Sequence, residues 1–476
     1  MEEARHVLKS DRDASPLLVK IREHIGASPR ELVCVTETFP VWEHASLQRG
    51  AEAYLASRET AAEWFGLSGP GREHTDIVTM LTLTETSWDT FDLGPVDYGT
   101  AAVGPEETME VVRLGLVCTW APGGLPVVLG LRGAQEHGGD DCRIDVLATS
   151  REAATAVRDE VTRLMRELDV CRGQVLMFGI SEHRGNELVT FLPRPEVTAD
   201  QVILPDGVLS SIDRHVAAIG EEAVRLRAHG QHLKRGLLLH GPPGTGKTHT
   251  VRYLMGRMTD CTVIVMTGVA LRFISHAATL ARRLQPAIVV VEDVDLVARD
   301  RSYDPEGNPL LFTLLDAMDG VGADADVTFV LTTNRAEVLE SALAHRPGRV
   351  DFAVEVPKPD ADGRLALLKL YAGELTVPDD LDGLVADTEG MTASFFKELL
   401  RRAVLAALRE REWVSELDGE LLKTVLDEML DERQALTRTL LGGGERLPEE
   451  SLGDHDFELD GMPHHGTAFG SHVTFE

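Results

Sequence analysis

Two kinds of apolar pattern divide the chain. Leu237-Leu238-Leu239, Pro286-Ala287-Ile288-Val289-Val290-Val291 and Val327-Thr328-Phe329-Val330-Leu331 are unbroken runs, largely of β-branched and aliphatic residues. Runs of this kind fit short strands buried on both faces of a parallel sheet. Upstream the pattern is more mixed. Pro16 to Leu47 reads mostly as helix, and strands recur near Ile77-Val78-Thr79-Met80, Val111 to Val117, Pro126 to Leu131 and Arg143 to Leu147. Ser150 can cap the helix after them, with Ala154, Val157, Val161, Leu164, Met165 and Leu168 on one apolar face. Strands at Gln174 to Phe178 and Glu187 to Leu192 are expected to complete this upstream sheet. No charge falls between Leu114 and Leu131, a stretch close to the ~18-residue lower limit for crossing a bilayer. Ala121-Pro122-Gly123-Gly124 interrupts it, however, and both flanks alternate, which predicts a hairpin and no membrane span.

After Pro357-Lys358-Pro359 the period turns helical. Leu365, Leu367, Leu368 and Leu370, then Leu399, Leu400, Ala403, Val404, Ala407 and Leu408, form stripes that fit a small helical domain. From Gly442-Gly443-Gly444 onward the chain is Gly-rich, acidic and poor in aliphatics, as in a disordered tail. The expected organisation is therefore an α+β domain over 1–199, an α/β domain with a parallel sheet over 200–356, a helical domain over 357–440 and a tail over 441–476.

Composition narrows the partners. The chain has 476 residues, 43% of them hydrophobic, enough for several real cores. A net charge of -31 disfavours a nucleic-acid partner, because affinity for a phosphate backbone depends on Lys and Arg neutralising it. Five scattered cysteines, Cys34, Cys118, Cys142, Cys171 and Cys261, lack metal-ligand spacing and fit a reducing cytoplasm. Met1-Glu2-Glu3-Ala4-Arg5 lacks the pattern of a secretory signal. His183 with Glu187 and His464-His465 read as solvated polar residues in preference to metal ligands.

The chemistry lies at the ends of the unbroken runs. Between the first run and a helix-like stretch stand Gly241-Pro242-Pro243-Gly244-Thr245-Gly246-Lys247-Thr248. Glycines let such a loop curl its N–H groups inward while the next helix points its positive end at the same spot, which makes an anion cradle. Lys247 suits the β- and γ-phosphates of ATP, and the Thr248 hydroxyl suits Mg²⁺. The second run ends in Glu292 and Asp293, at the carboxyl edge where open α/β sheets place ligands. Neighbouring residues of a strand face opposite ways, so one acid serves the metal and the other the attacking water. Asn334 ends the third run with a neutral group able to hold that water, although Asn is also a common turn former. Arg346-Pro347-Gly348-Arg349 then offers two guanidinium groups across a turn, suited to a developing phosphoryl charge.

These four motifs, in this order and spacing, resemble the classical branch of the AAA ATPases over about residues 200 to 440. The resemblance implies a Mg-dependent ATPase that works as a homo-oligomeric ring, of six subunits in many members, and remodels, unfolds or disassembles a protein partner. It places Asn334 at the sensor-1 position, Arg346 and Arg349 at the arginine fingers given to a neighbouring subunit, and Gly390 at the start of a lid near the nucleotide. By position Glu292 serves the metal and Asp293 the water. The Glu-Asp order is similar to that of the branch containing the mitochondrial Rieske-protein translocase. A second departure lies between Met266 and Pro286, where the segment that grips polypeptide in many members is shorter. Phe273-Ile274 there carries two readings, a core position on a helix and a pore grip. The alternative function is a nucleotide-gated assembly switch with weak hydrolysis and no threading.

Overall fold

The computed structural model describes residues 15–58, 63–86, 91–133, 141–179, 189–295, 310–335, 349–409 and 411–431. Its strands in chain order are β1 (Val33–Pro40), β2 (Gly66–Ser68), β3 (Asp92–Gly94), β4 (Asp97–Ala102), β5 (Thr108–Trp120), β6 (Pro126–Arg132) and β7 (Asp141–Ala148) in the first part of the chain. Beyond them lie β8 (Val175–Phe178), β9 (Val189–Leu192), β10 (Arg235–His240), β11 (Thr262–Met266), β12 (Ala287–Val291), β13 (Val327–Thr333) and β14 (Phe352–Glu355).

The first sheet is antiparallel, in the order β1-β7-β6-β5-β4. Its strands alternate cleanly. Val127, Leu129, Ile144 and Val146 face a core shared with the helices His44–Ala56 and Arg151–Glu167, while Val128 and Leu147 face the opposite core with Pro16–Ile25 and Ile77–Thr86. The hairpin expected between Leu114 and Leu131 is present: Trp120 pairs with Pro126, and Ala121 and Leu125 close the turn. Ser150 caps its helix through the Ala153 N–H. Ala154, Val157, Val161 and Met165 are buried there, whereas Leu168 lies just past the helix end and is exposed.

Three expectations change. The stretch from Pro16 to Leu47 contains β1 between two helices, instead of being mostly helix. Ile77-Val78-Thr79-Met80 is the start of a helix, because the Asp76 carboxylate accepts from both the Thr79 N–H and the Thr79 hydroxyl and so starts a helical turn. The strands at 174–178 and 187–192 do not complete the first sheet. β8 runs parallel to β11, with Val175 opposite Val263, and β9 pairs antiparallel with β8. The cause is burial on both sides: Val175, Leu176 and Phe178 are all enclosed, as befits a parallel sheet and not a half-exposed edge.

The second sheet is thereby seven-stranded, ordered β14-β10-β13-β12-β11-β8-β9, with every pair parallel except β8–β9. Helices cover both faces, Val208–Glu221 and Lys247–Arg257 on one, Ile274–Arg283 and Leu310–Gly320 on the other. A separate helical core of Ala361–Ala372, Asp382–Asp387, Ala393–Leu408 and Gly419–Leu430 comes next, held by Phe395, Phe396, Leu399 and Leu426. Asp360 and Asp418 cap two of these helices. The mixed α/β architecture with a parallel sheet, a helical C-terminal region and an α+β N-terminal region is as the sequence predicts. The tail from 441 lies outside the described residues.

Candidate functional site

β10 lies between β13 and β14, and its carboxyl end runs straight into the Gly241–Thr248 loop. Gly244 has φ 76° and a Cβ there would stand 2.6 Å from the Ser394 hydroxyl, so only glycine fits. Gly246, at φ 113°, is the cap of the helix Lys247–Arg257, whose first N–H groups therefore face the loop. Pro242 and Pro243 leave two positions of the curl without an N–H, and the Pro242 carbonyl accepts from the Thr245 hydroxyl. Lys247 is buried, and its ammonium donates to the Gly241 and Pro242 carbonyls, both at 2.9 Å. Burial pushes its pKa down, opposed by the negative charges of Asp293 and Asp295. A desolvated cation held beside inward-turned N–H groups is a site for a polyanion.

The two acids take different places, although both lie past the end of β12, where strand alternation no longer applies. Burial raises the Glu292 pKa, and the Thr248 hydroxyl, hydrogen-bonded to its carboxylate, works against that shift. Thr248 and Glu292 are thus adjacent oxygen donors of the kind a hard divalent cation takes. Asp293 is exposed and has φ 50°, a conformation no other non-glycine among the described residues adopts. Backbone strain of this kind costs about 1–3 kcal/mol and must be held by its surroundings. Here the Thr332 hydroxyl accepts from the Asp293 N–H at 3.0 Å, and the Asn334 amide donates to the Asp293 carboxylate at 3.2 Å. β12 and β13 are neighbours in the sheet, which is how acid and amide meet.

Sequence reasoning missed two participants. Asp295 is buried and accepts from the Thr333 hydroxyl at 2.8 Å and the Asn334 N–H at 3.0 Å, so it fixes the end of β13 against the end of β12. A third acid two residues beyond the pair was the available signal. Ser394 donates from its N–H (3.1 Å) and hydroxyl (3.2 Å) to the Gly244 carbonyl, so the first turn of Ala393–Leu408 is bonded to the cradle. A partner 150 positions away leaves no local trace in the sequence. Gly390, at φ 78°, stands just ahead of that turn.

The arginines are placed differently. Arg349 is almost fully enclosed, and its guanidinium forks onto Asp319 of the same chain at 2.5–3.2 Å. Hydrogen bonding to that carboxylate pushes its pKa up further. Arg346 lies outside the described residues, as do His183, Glu187 and His464-His465. Phe273 is half-buried against the core beneath the sheet and lies under the Arg272 guanidinium, 4.8 Å from the ring centre. Its neighbour Ile274 is fully buried in that core.

Residues 237–358 match the family model described as ATPase family associated with various cellular activities (AAA). That stretch is an AAA domain by this match. Among curated relatives the chain is 37% identical over 191 residues to proteasome-activating nucleotidase 2 of Halobacterium salinarum, covering 37% of this chain and 46% of that one. It is 33% identical over 239 residues to ATP-dependent zinc metalloprotease FtsH 3 of Sphaerobacter thermophilus, covering 47% and 48%. A longer match of 307 residues, 29% identical, joins it to ATP-dependent zinc metalloprotease FtsH of Mycobacterium tuberculosis, covering 61% of this chain and 40% of that one. The chain thus spans under half the length of these relatives. AAA proteins use ATP with Mg²⁺, and the cradle, the buried Lys247 and the Thr248–Glu292 donor pair fit both. Among the described residues no helix is long and apolar enough to cross a membrane.

Proposed function

We propose that this AAA protein binds Mg-ATP at Gly241–Thr248 and hydrolyses it, as a homo-oligomeric ring of six subunits in the cytoplasm, to remodel, unfold or disassemble a protein partner. The observation that carries the reading is the meeting of Lys247, Glu292, Asp293 and Asn334 at the carboxyl edge of β10, β12 and β13, with the Asn334 amide on the Asp293 carboxylate. Mg²⁺, when bound by Thr248 and Glu292, supplies charge neutralisation to the phosphates. Lys247 leaves its loop carbonyls for the β- and γ-phosphate oxygens, to which the helix N-terminus adds N–H donors. Asp293 accepts the proton of the attacking water, and Asn334 orients it. Gly390 and Ser394 set the lid against the cradle, while Arg346 and Arg349 complete the neighbouring subunit's site once Arg349 exchanges Asp319 for phosphate. Relatives named as nucleotidases that activate the proteasome and as ATP-dependent proteases support a protein substrate.

The deciding variant is Asp293→Asn. Phosphate release should fall at least 100-fold, about the scale of a lost general base, while fluorescent ATP still binds. Retention of more than a tenth of wild-type turnover removes Asp293 from that role. A second reading, a nucleotide-gated assembly switch that does not thread polypeptide, is favoured by Phe273 being packed against the core. An unfolding assay on a fluorescent client separates them, since only a threading motor unfolds it at the expense of ATP.

A further inference from the structure

The helix Ile274–Arg283, which covers β11 and β12, ends in an arginine that reaches outside the ATPase sheet. Arg283 donates to Glu43 at 2.5 Å and to Asp169 at 3.1 Å, and both acids are buried. Glu43 immediately precedes the helix His44–Ala56 of the N-terminal domain, and Asp169 lies just past its helix Arg151–Glu167. Asp169 also accepts from the Ser46 hydroxyl, at 3.1 Å, and from the Cys171 N–H, at 3.0 Å, so the two N-terminal helices are tied at one point. Around this point the apolar core is continuous. Ala45, Val103 and Val111 of the N-terminal domain belong to the same cluster as Ile274, Ala277, Ala281 and Leu284, and Trp42 meets Phe178 of β8 edge-on at 6.2 Å. The strands that the strut covers lead to the chemistry, because the Met266 carbonyl, at the close of β11, accepts from the Glu292 N–H just past β12.

We infer that the N-terminal domain and the ATPase sheet form one mechanical unit, with Ile274–Arg283 as the strut between them and Arg283 as its clamp. A domain on a free tether shares no core with its neighbour, and this one does. Two buried carboxylates facing a single guanidinium make the joint depend on that one group, since removing the cation leaves both negative charges uncompensated. Arg is suited to the task, because its planar fork serves two carboxylates at once while an ammonium is a point charge. By the same strut, and resting on the nucleotide reading above, a change at Glu292 reaches the N-terminal domain, and a partner bound there acts back on the nucleotide with equal strength.

The joint is tested first without nucleotide, on the full chain in urea. Four of the five tryptophans, Trp42, Trp64, Trp88 and Trp120, precede the ATPase sheet, and with the exposed Trp413 replaced by Phe in every protein compared, fluorescence reports the N-terminal domain, while hydrogen exchange at β12 and β13 reports the sheet. Wild type should show one transition by both probes, and Arg283→Met should split them by about 1 M urea. Glu43→Gln, which keeps Asp169, should give a smaller split and serves if the methionine variant does not fold. Two separate transitions in wild type, or coincident ones in both variants, overturn the inference. A second arm adds saturating Mg-ADP. Exchange should then slow several-fold at Lys247–Arg257 and also at His44–Ala56, and Arg283→Met should keep the first and lose the second. Protection at the cradle with none at His44–Ala56 in wild type sinks the coupling, whereas no protection at the cradle sinks the nucleotide reading and leaves the urea result to judge the joint.

Discussion

The two large sheets among the described residues are both covered by helices on two faces, yet only one of them gathers chemistry. In the antiparallel N-terminal sheet, successive strands reverse, so the loops that could carry functional groups are divided between two edges. In the parallel sheet, β10, β12 and β13 all finish at one edge, and Lys247, Glu292, Asp293 and Asn334 arrive there together. Strand direction therefore decides where a site can be assembled. The N-terminal sheet instead uses its faces and its neighbouring helices, through Glu43 and Asp169, to hold the other.

The contrast can be attacked by substitution. Phe329→Ala, in the centre of the parallel sheet, should cost about 3–5 kcal/mol in urea unfolding, and Leu129→Ala, in the antiparallel one, about 2–5 kcal/mol. If the two sheets are joined as inferred, both lower the same transition. Lys247→Ala should weaken fluorescent-ATP binding by about 10–100-fold, the scale of one charged hydrogen-bonding group, and leave that transition nearly in place. Unchanged affinity would mean the cradle is not the binding site. Asp295→Asn keeps an acceptor oxygen but loses the charge opposite Thr333 and Asn334; a steady-state assay should show turnover down about tenfold with little change in KM, the mark of a group that positions others. Smallest is Arg163→Ala on the exposed face of Arg151–Glu167, whose ion pairs with Glu160 and Glu167 are open to water. Neither unfolding nor turnover should move measurably.

Legibility split along the same line. β10, β12 and β13 could be read because each is an unbroken apolar run closed by residues with a chemical job, Gly241, Glu292 or Asn334, whereas β11 and β14, parallel members of the same sheet, were not anticipated. β8 is also an unbroken run, but nothing in Val175-Leu176-Met177-Phe178 says which sheet it joins, since that is decided by Val263 opposite it. Ile77-Val78 looks like strand until the Asp76 carboxylate is seen bonded to Thr79, where local capping overrides β-branched preference. Within the site, the loop and the acids were readable from spacing. The Asp319–Arg349 fork and the Ser394–Gly244 bonds were not, because tertiary folding alone brings those residues together.

Arg194 limits where the chain can be cut. Its guanidinium collects four backbone carbonyls, those of Met255 and Met258 at the end of the cradle's helix and those of Gly173 and Cys261 beside it. A fragment begun at residue 200 would forfeit this knot, bare the β11 edge that β8 now covers, and offer it to any passing strand. A catalytic piece meant to stay in solution has to start ahead of Gly173.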